Sequence, residues 1–383
     1  LTQLAGACAC VTALSSKAAE SASRETPARR FEEWILDYQI ASSDLCRYYR
    51  FGPHQAEESP LATAYAIVLL GESHPDVTDR LSRGLAALQQ RFAGNPHVGG
   101  GVPSIANDGS LLFYASDALA ATKALVATYN QTHQLDHLHA AAGFVEFVHR
   151  LANGERAGFL PENFGFPMQY ATPGGAYQNW LVPNVAMLFW DALRDYADAA
   201  GDAATARLFE RGRSFLLRDA QAPNGAYYDH YDPGYPPRAY SRERWRWFKV
   251  EADGRRIAIG DNMMMSALGA ARLGDATGVD RFLEWARPND GAFYAYIDVD
   301  SGGSGFQDGD PRYFDVVSSA MYYGLLAERK RLDEATRRNL ERIFALSAAV
   351  DGGYRWGLHA DGPGWVQDSA EALVTGYWIA KAS

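Results

Sequence analysis

Apolar positions along this chain alternate between two helical patterns. In the first they recur at i, i+3, i+4 and i+7, as Phe31, Trp34, Ile35 and Tyr38 do, so one side faces water. In the second they crowd every face. Met263, Met264, Met265, Ala267, Leu268, Ala270 and Ala271, inside Gly260 to Asp275, are the plainest case, and such a helix belongs within a protein layer. The same apolar pattern returns from Ser59, Ser116, Pro183, Phe314 and Gln367. Amphipathic stretches lie between the copies, marked by Leu81, Leu85 and Leu88, by Phe144 and Phe147, by Leu208 and Phe215, by Phe282 and Trp285, and by Leu340 and Phe344. Internal repetition settles architecture before anything else. Amphipathic helices outside and apolar helices inside, in six hairpins, predict an all-α fold, a closed (α/α)6 toroid. An open superhelical stack needs polar capping repeats at its ends. The sixth inner helix, with Leu373, Val374, Tyr377 and Trp378, is as apolar as the rest, which favours closure.

The inner helices are expected to start at Ser59, Asp117, Asn184, Asp261, Asp315 and Asp368, spaced 58, 67, 77, 54 and 53 residues apart. Each is a preferred N-cap residue, worth about 1 kcal/mol. Joints from inner to outer helix are short, such as Leu273-Gly274-Asp275. Joints from outer to inner helix are long, aromatic and glycine-bearing: Gly99 to Ser104, Ala157 to Tyr170, Asn224 to Tyr235, Asp290 to Asp300 and Asp351 to Trp365. In a ring of hairpins all the long joints emerge at one end. Loops held by a rigid scaffold are where function concentrates.

Residues 1–23 resemble the apolar core and small-residue end of a bacterial export signal, and Leu1 to Ala7 is similar to the stretch just after the paired arginines of a twin-arginine signal. Ser16-Lys17-Ala18 fits a cleavage site. Residues 1–27 are therefore read as a leader remnant plus linker, residues 28–383 as a single toroid domain, and the location as periplasmic or secreted. An amphipathic N-terminal helix is the alternative. No other stretch reaches about 18 unbroken apolar residues, the length a membrane span needs. The formal charge of −10 argues against a nucleic-acid partner. Three cysteines supply neither a disulfide framework nor zinc spacing, and Cys46 is expected to be a buried small hydrophobe. Nothing in the pattern sets an oligomeric state.

Candidate chemistry gathers at the long-loop end. Asp117, Asn184, Asp261, Asp315 and Asp368 ring it, as caps, as catalytic or binding groups, or as both. Tyr227 to Asp232 is the densest set of proton-handling groups, with Tyr228, Asp229, His230 and Tyr231. Histidine shuttles protons near neutral pH, and tyrosine and aspartate serve as acid, base or clamp. The insert Pro236 to Trp247 reads as a lid. Its Arg238 and Arg242 suit a uronate carboxylate, and its Trp245 and Trp247 suit stacking on a sugar ring. Asn179, Trp180, His359 and Trp365 complete the expected binding set. No cofactor is expected. A structural calcium near Asp298 and Asp300 is the one cation reading, and Gly309 stands where the calcium-binding helix-loop-helix motif has its closing glutamate.

The helix rhythm and aromatic loops resemble six-hairpin glycosidases and the toroid polysaccharide lyases. Asn179 to Leu217 is also similar to the helical domain of glucuronyl C5-epimerases. In length and helix rhythm the chain resembles the exported linalool dehydratase-isomerase, without matching that enzyme's funnel cysteines. The resemblance implies an exported carbohydrate-active enzyme, most simply a glycoside hydrolase with a saccharide substrate. It would use two carboxylates drawn from Asp229, Asp261 and Asp315, with His230 and Tyr228 assisting. A lyase or uronyl epimerase would use Tyr228 or His230 instead, with Arg238 or Arg242 on the uronate. A terpenoid-alcohol dehydratase or cyclase would require a dry, apolar funnel.

Overall fold

The computed structural model describes residues 27–49, 56–105, 109–153, 166–178, 180–234, 239–305, 313–349, 351–359 and 369–382. The leader, Asn179, Arg238, Gly309, Trp365 and Asp368 lie outside these residues.

Helix and hairpin order follow the sequence pattern. Outer helix α1 (Pro27–Trp34) runs on as a π-turn, Ile35–Gln39, and is followed by inner helix α2 (Pro60–Leu70). The next hairpins are α3 (Pro75–Gln90) with α4 (Ala115–Thr132), and α5 (Leu135–Asn153) with the inner pair α6 (Asn184–Leu188) and α7 (Asp191–Ala200). Then come α8 (Ala203–Asp219) with α9 (Gly260–Arg272), α10 (Ala276–Trp285) with α11 (Val316–Glu328), and α12 (Glu334–Ser347) with α13 (Ser369–Ala382). Each inner element packs against the next: α2 on α4, α4 on α7, α6 on α9, α9 on α11, α11 on α13, and α13 back on α2. The ring is closed. α1 lies against α13 at the seam, where a Cβ on Gly376 would run into the Phe31 ring. Phe31 is fully buried and stacks on Trp34 at 5.4 Å.

Two of the short joints share one device. Gly201 and Gly274 sit at φ +68° and +85°, a left-handed conformation that ends a helix at no steric cost to glycine. Asp202 and Asp275 follow directly and cap α8 and α10, accepting from Ala204 N at 2.9 Å and Gly278 N at 2.9 Å. The third inner helix, expected as one piece, breaks at Phe189-Trp190. There Trp190 is fully buried and donates Nε1–H to Phe209 O at 3.0 Å, and Arg272 donates to the Leu188 carbonyl at 2.9 Å.

The long crossovers are not featureless loops. Very short antiparallel strands stitch neighbouring ones together: Leu111–Tyr114 on Tyr170–Ala171, Arg256–Ile259 on Tyr296–Asp298, and Tyr313–Asp315 on both Phe293–Tyr294 and Gly357–His359. A bridge between Leu181 and Tyr231 ties the third crossover to the fourth. The all-α ring thus carries a crown of small sheets at the mouth. This changes the helix starts. Ser59 and Asp315 are N-caps as expected, accepting from Ala62 N at 3.1 Å and Ser318 N at 3.2 Å. Asp117, Asn184 and Asp261 are not, because α4 and α9 begin straight off the strands ending at Tyr114 and Ile259, and Pro183 precedes α6. All three side chains lie inside the first helical turn instead of at its N-cap.

Candidate functional site

The fourth crossover builds the site. His230–Tyr231 pairs with Trp245–Arg246, and side chains along a strand alternate between faces. Tyr231 therefore goes into the core, fully buried, and stacks on Tyr240 at 5.5 Å. Trp245 follows it, 5.5 Å from Phe215 and 5.6 Å from Tyr228. Tyr231 and Trp245, expected to touch substrate, have no open face. They anchor the insert. Ser241 N also donates to the Tyr231 hydroxyl at 3.1 Å, so the described part of the insert is packed down rather than hinged as a lid. Arg242 is exposed and reaches the Gln221 carbonyl at 3.5 Å. Trp247 lies between Tyr228, at 4.4 Å, and the Arg256 guanidinium, 5.4 Å above its ring.

His230 emerges on the other side of that strand. Its ring stacks on Trp180 with centroids 4.2 Å apart, and Trp180 remains 39% exposed at the mouth. Nδ1 of His230 meets Asp229 Oδ2 at 2.9 Å. Asn262 donates Nδ2–H to Asp229 Oδ1 at 3.3 Å, and its backbone N–H reaches Asp261 Oδ1 at 2.7 Å. Asn184 donates Nδ2–H to Asn262 Oδ1 at 3.2 Å. One connected network therefore joins the fourth crossover to the first turns of α6 and α9. It contains Trp180, Asn184, Asp229, His230 and Asp261 from the expected set, and Asn262, which the sequence pattern did not single out.

The carboxyl groups divide by environment. Asp261 is half-buried. Desolvation by the protein around it, with the Asp229 charge adding, raises its carboxyl to about 6. Asp315 has no exposed surface and accepts from Ser318 N and, at 2.7 Å, from Ser318 Oγ. Burial, reinforced by Asp261, raises it to about 8. Such a group contacts no substrate, so Asp315 stands behind Asp261 instead of facing it across the funnel. Asp117, on α4, is buried with Ser104 Oγ at 2.6 Å, and burial raises it to about 6. His359 closes the strand Gly357–His359 opposite Tyr313. Asp298 is occupied by its own turn, accepting from Ser301 N at 2.7 Å, and Asp300 pairs with Arg256. Among the described residues no three His, Cys, Asp or Glu side chains are placed to share a metal ion.

These raised carboxyls set a sign for stability against pH. A group protonated more readily in the folded than in the unfolded chain stabilises fully below its unfolded value, near 3.8, and that contribution is lost as pH rises through the folded one. Thermal stability is thus expected to fall between about pH 4 and pH 8 through Asp117, Asp261 and Asp315. Asp315→Asn, which keeps the shape and can still meet Ser318, should melt above the wild type at pH 8 and close to it at pH 4. Parallel melting curves across that range would contradict the assignment.

The opposite end of the ring holds a cavity of about 200 Å³ lined by Leu268, Arg272, Glu328, Trp378 and Lys381. It lies at the C-terminal ends of α9, α11 and α13, about 16 Å along α9 from Asp261 at 1.5 Å per residue. Cations there match helix C-termini. Cys46 is buried, as expected. No described helix is long and apolar enough to cross a membrane.

No sequence-family description and no curated protein sequence matches the chain. Solved structures do. The unsaturated glucuronyl hydrolase of Bacillus sp. GL1 superposes with a TM-score of 0.63 at 15% identity, over 93% of each chain. An α-1,6-mannanase of Salegentibacter sp. HEL1_6 superposes at 0.53 and 14%, over 93% of this chain and 97% of the other. A D-mannose isomerase superposes at 0.58 and 10%, over 93% and 96%. At these identities the likeness is one of fold: the chain is an (α/α)6 toroid of the kind these sugar-active proteins share.

Proposed function

We propose that the chain is a carbohydrate-active enzyme, a glycoside hydrolase that works outside the cytoplasm. The observation that carries this is the pairing, in the mouth, of a half-buried carboxyl of raised proton affinity, Asp261, with a hydrogen-bonded Asp229–His230 dyad. A carboxyl that holds its proton, set beside a carboxylate-oriented imidazole, is what acid and base roles require. Asp261 gives its proton to the leaving oxygen. The dyad takes a proton from the attacking water. Trp180 and Tyr228 offer aromatic surface to a sugar, and Asn184 joins the site through its hydrogen bond to Asn262. The export-like leader supports the location.

The dyad also favours a second reading. A histidine oriented by a carboxylate suits proton abstraction beside a carbonyl or carboxylate, as in a sugar isomerase, epimerase or lyase. The amides and carboxyls of the mouth weigh against the dry funnel of a terpenoid enzyme. Incubation with a panel of oligosaccharides, uronate-containing ones included, separates the readings. Hydrolysis yields new reducing ends without near-ultraviolet absorbance. Absorbance from a new double bond supports a lyase. Deuterium uptake from solvent without cleavage supports an isomerase or epimerase.

A further inference from the structure

We propose that Asn184 and Asn262 form a polarised amide relay, oriented by the Val185 backbone N–H, that holds Asp229 as the acceptor of its dyad with His230. An amide side chain has one accepting and one donating end. Val185 N–H donates to Asn184 Oδ1 at 2.6 Å, so the accepting end of Asn184 is taken. Its Nδ2 then faces Asn262, which must present Oδ1, as it does at 3.2 Å. That leaves Nδ2 of Asn262 for Asp229 Oδ1, at 3.3 Å. A backbone amide cannot be turned round, so the polarity of every link is set by the first. Asp229 receives a donor at Oδ1 from the relay, and at Oδ2 it faces His230 Nδ1 at 2.9 Å. An ionised carboxylate can only accept, so the ring nitrogen that meets it donates. Hydrogen bonds to an ionised carboxylate favour that form.

The other titratable and charged groups about the dyad are Asp261 on α9, Asp315 behind it on α11, and Tyr228, Arg246 and Arg256 from the fourth crossover. Arg246 is exposed and turns to the Glu243 and Trp245 carbonyls, the latter at 3.2 Å. Arg256 pairs with Asp300. Asp261, where ionised, adds like charge beside Asp229. The donor from Asn262 therefore offsets a carboxyl-rich surrounding, and Asn184 and Asn262 are positioning residues.

Reversing the relay from its far end tests it. In Asn184→Asp both oxygens accept. Asn262 must turn to donate to residue 184, and its Oδ1 then opposes Asp229. Asp229 relieves that contact by taking up a proton. Its carboxyl ¹³C resonance should titrate about one pH unit higher than in the wild type, and the acid limb of kcat/KM should move with it. In the Asn262→Ala background, where the relay is cut, Asn184→Asp should move the resonance by less than half as much. An equal shift in both backgrounds would mean plain charge repulsion and would overturn the relay, as would no shift at all. The wild type alone also decides: an assignment placing Asn262 Oδ1 against Asp229 overturns it even if the variants fail to fold. Only the kinetic consequence rests on the hydrolase reading. A wild-type titration with the expected behaviour but no glycoside turnover would keep the relay and discard that reading.

Discussion

Asp261→Asn is expected to lower turnover of an unactivated glycoside by about 10²- to 10⁴-fold, the usual range for loss of a general acid, while leaving the fold intact. The variant keeps an oxygen for the Asn262 N–H, which Asp261 Oδ1 accepts at 2.7 Å. It removes a carboxyl that burial and the Asp229 charge both disfavour in its ionised form. Its melting temperature at pH 7 should equal or exceed that of the wild type. Activity and stability then move in opposite directions, as they do when a group is retained for chemistry at the expense of stability. A variant that loses both would identify Asp261 as a structural residue.

Phe31→Ala is expected to cost about 3–5 kcal/mol, because it opens the seam of the ring. Phe31 is fully buried between the first and last hairpins, 5.4 Å from the Trp34 ring and 5.7 Å from Tyr354, and against Gly376 of α13. On the α13 side Gly376 carries no side chain to fill the cavity. With the usual per-residue entropy of unfolding, the loss corresponds to a drop of roughly 4–7 °C in Tm. Scanning calorimetry on the purified variant checks it. An unchanged Tm would mean that α1 does not close the ring.

The fold was largely legible because its signals are long. Helices as long as the 11 residues of Pro60–Leu70, the 16 of Pro75–Gln90 and the 18 of Ala115–Thr132 leave little freedom, and a Gly-Asp joint such as Gly274-Asp275 states both where one helix ends and where the next begins. The crown was not legible. Its strands run two to four residues, as at His230–Tyr231 and Arg256–Ile259, too short for an alternation to register. The errors at the site come from this. Tyr231 and Trp245 look like mouth residues until the pairing of their strands turns both inward. Asp117 and Asp261 look like caps until strands run straight into α4 and α9. Asp315 looks like their equal and is the one of the three that caps its helix. Asn262 escapes notice because it stands beside a more conspicuous acid. A polar amide opening a helix that continues Met263, Met264, Met265 was the signal that it had a partner to meet.

If Asp261 protonates the leaving oxygen, a leaving group that needs no proton makes it dispensable. Wild type and Asp261→Asn are compared on two aryl glycosides of a sugar the wild type cleaves, one with a poor phenol and one with a dinitrophenol. Loss of rate on the first with near-complete recovery on the second is the result expected of a missing general acid. An equal loss on both would assign Asp261 some other task and contradict the account.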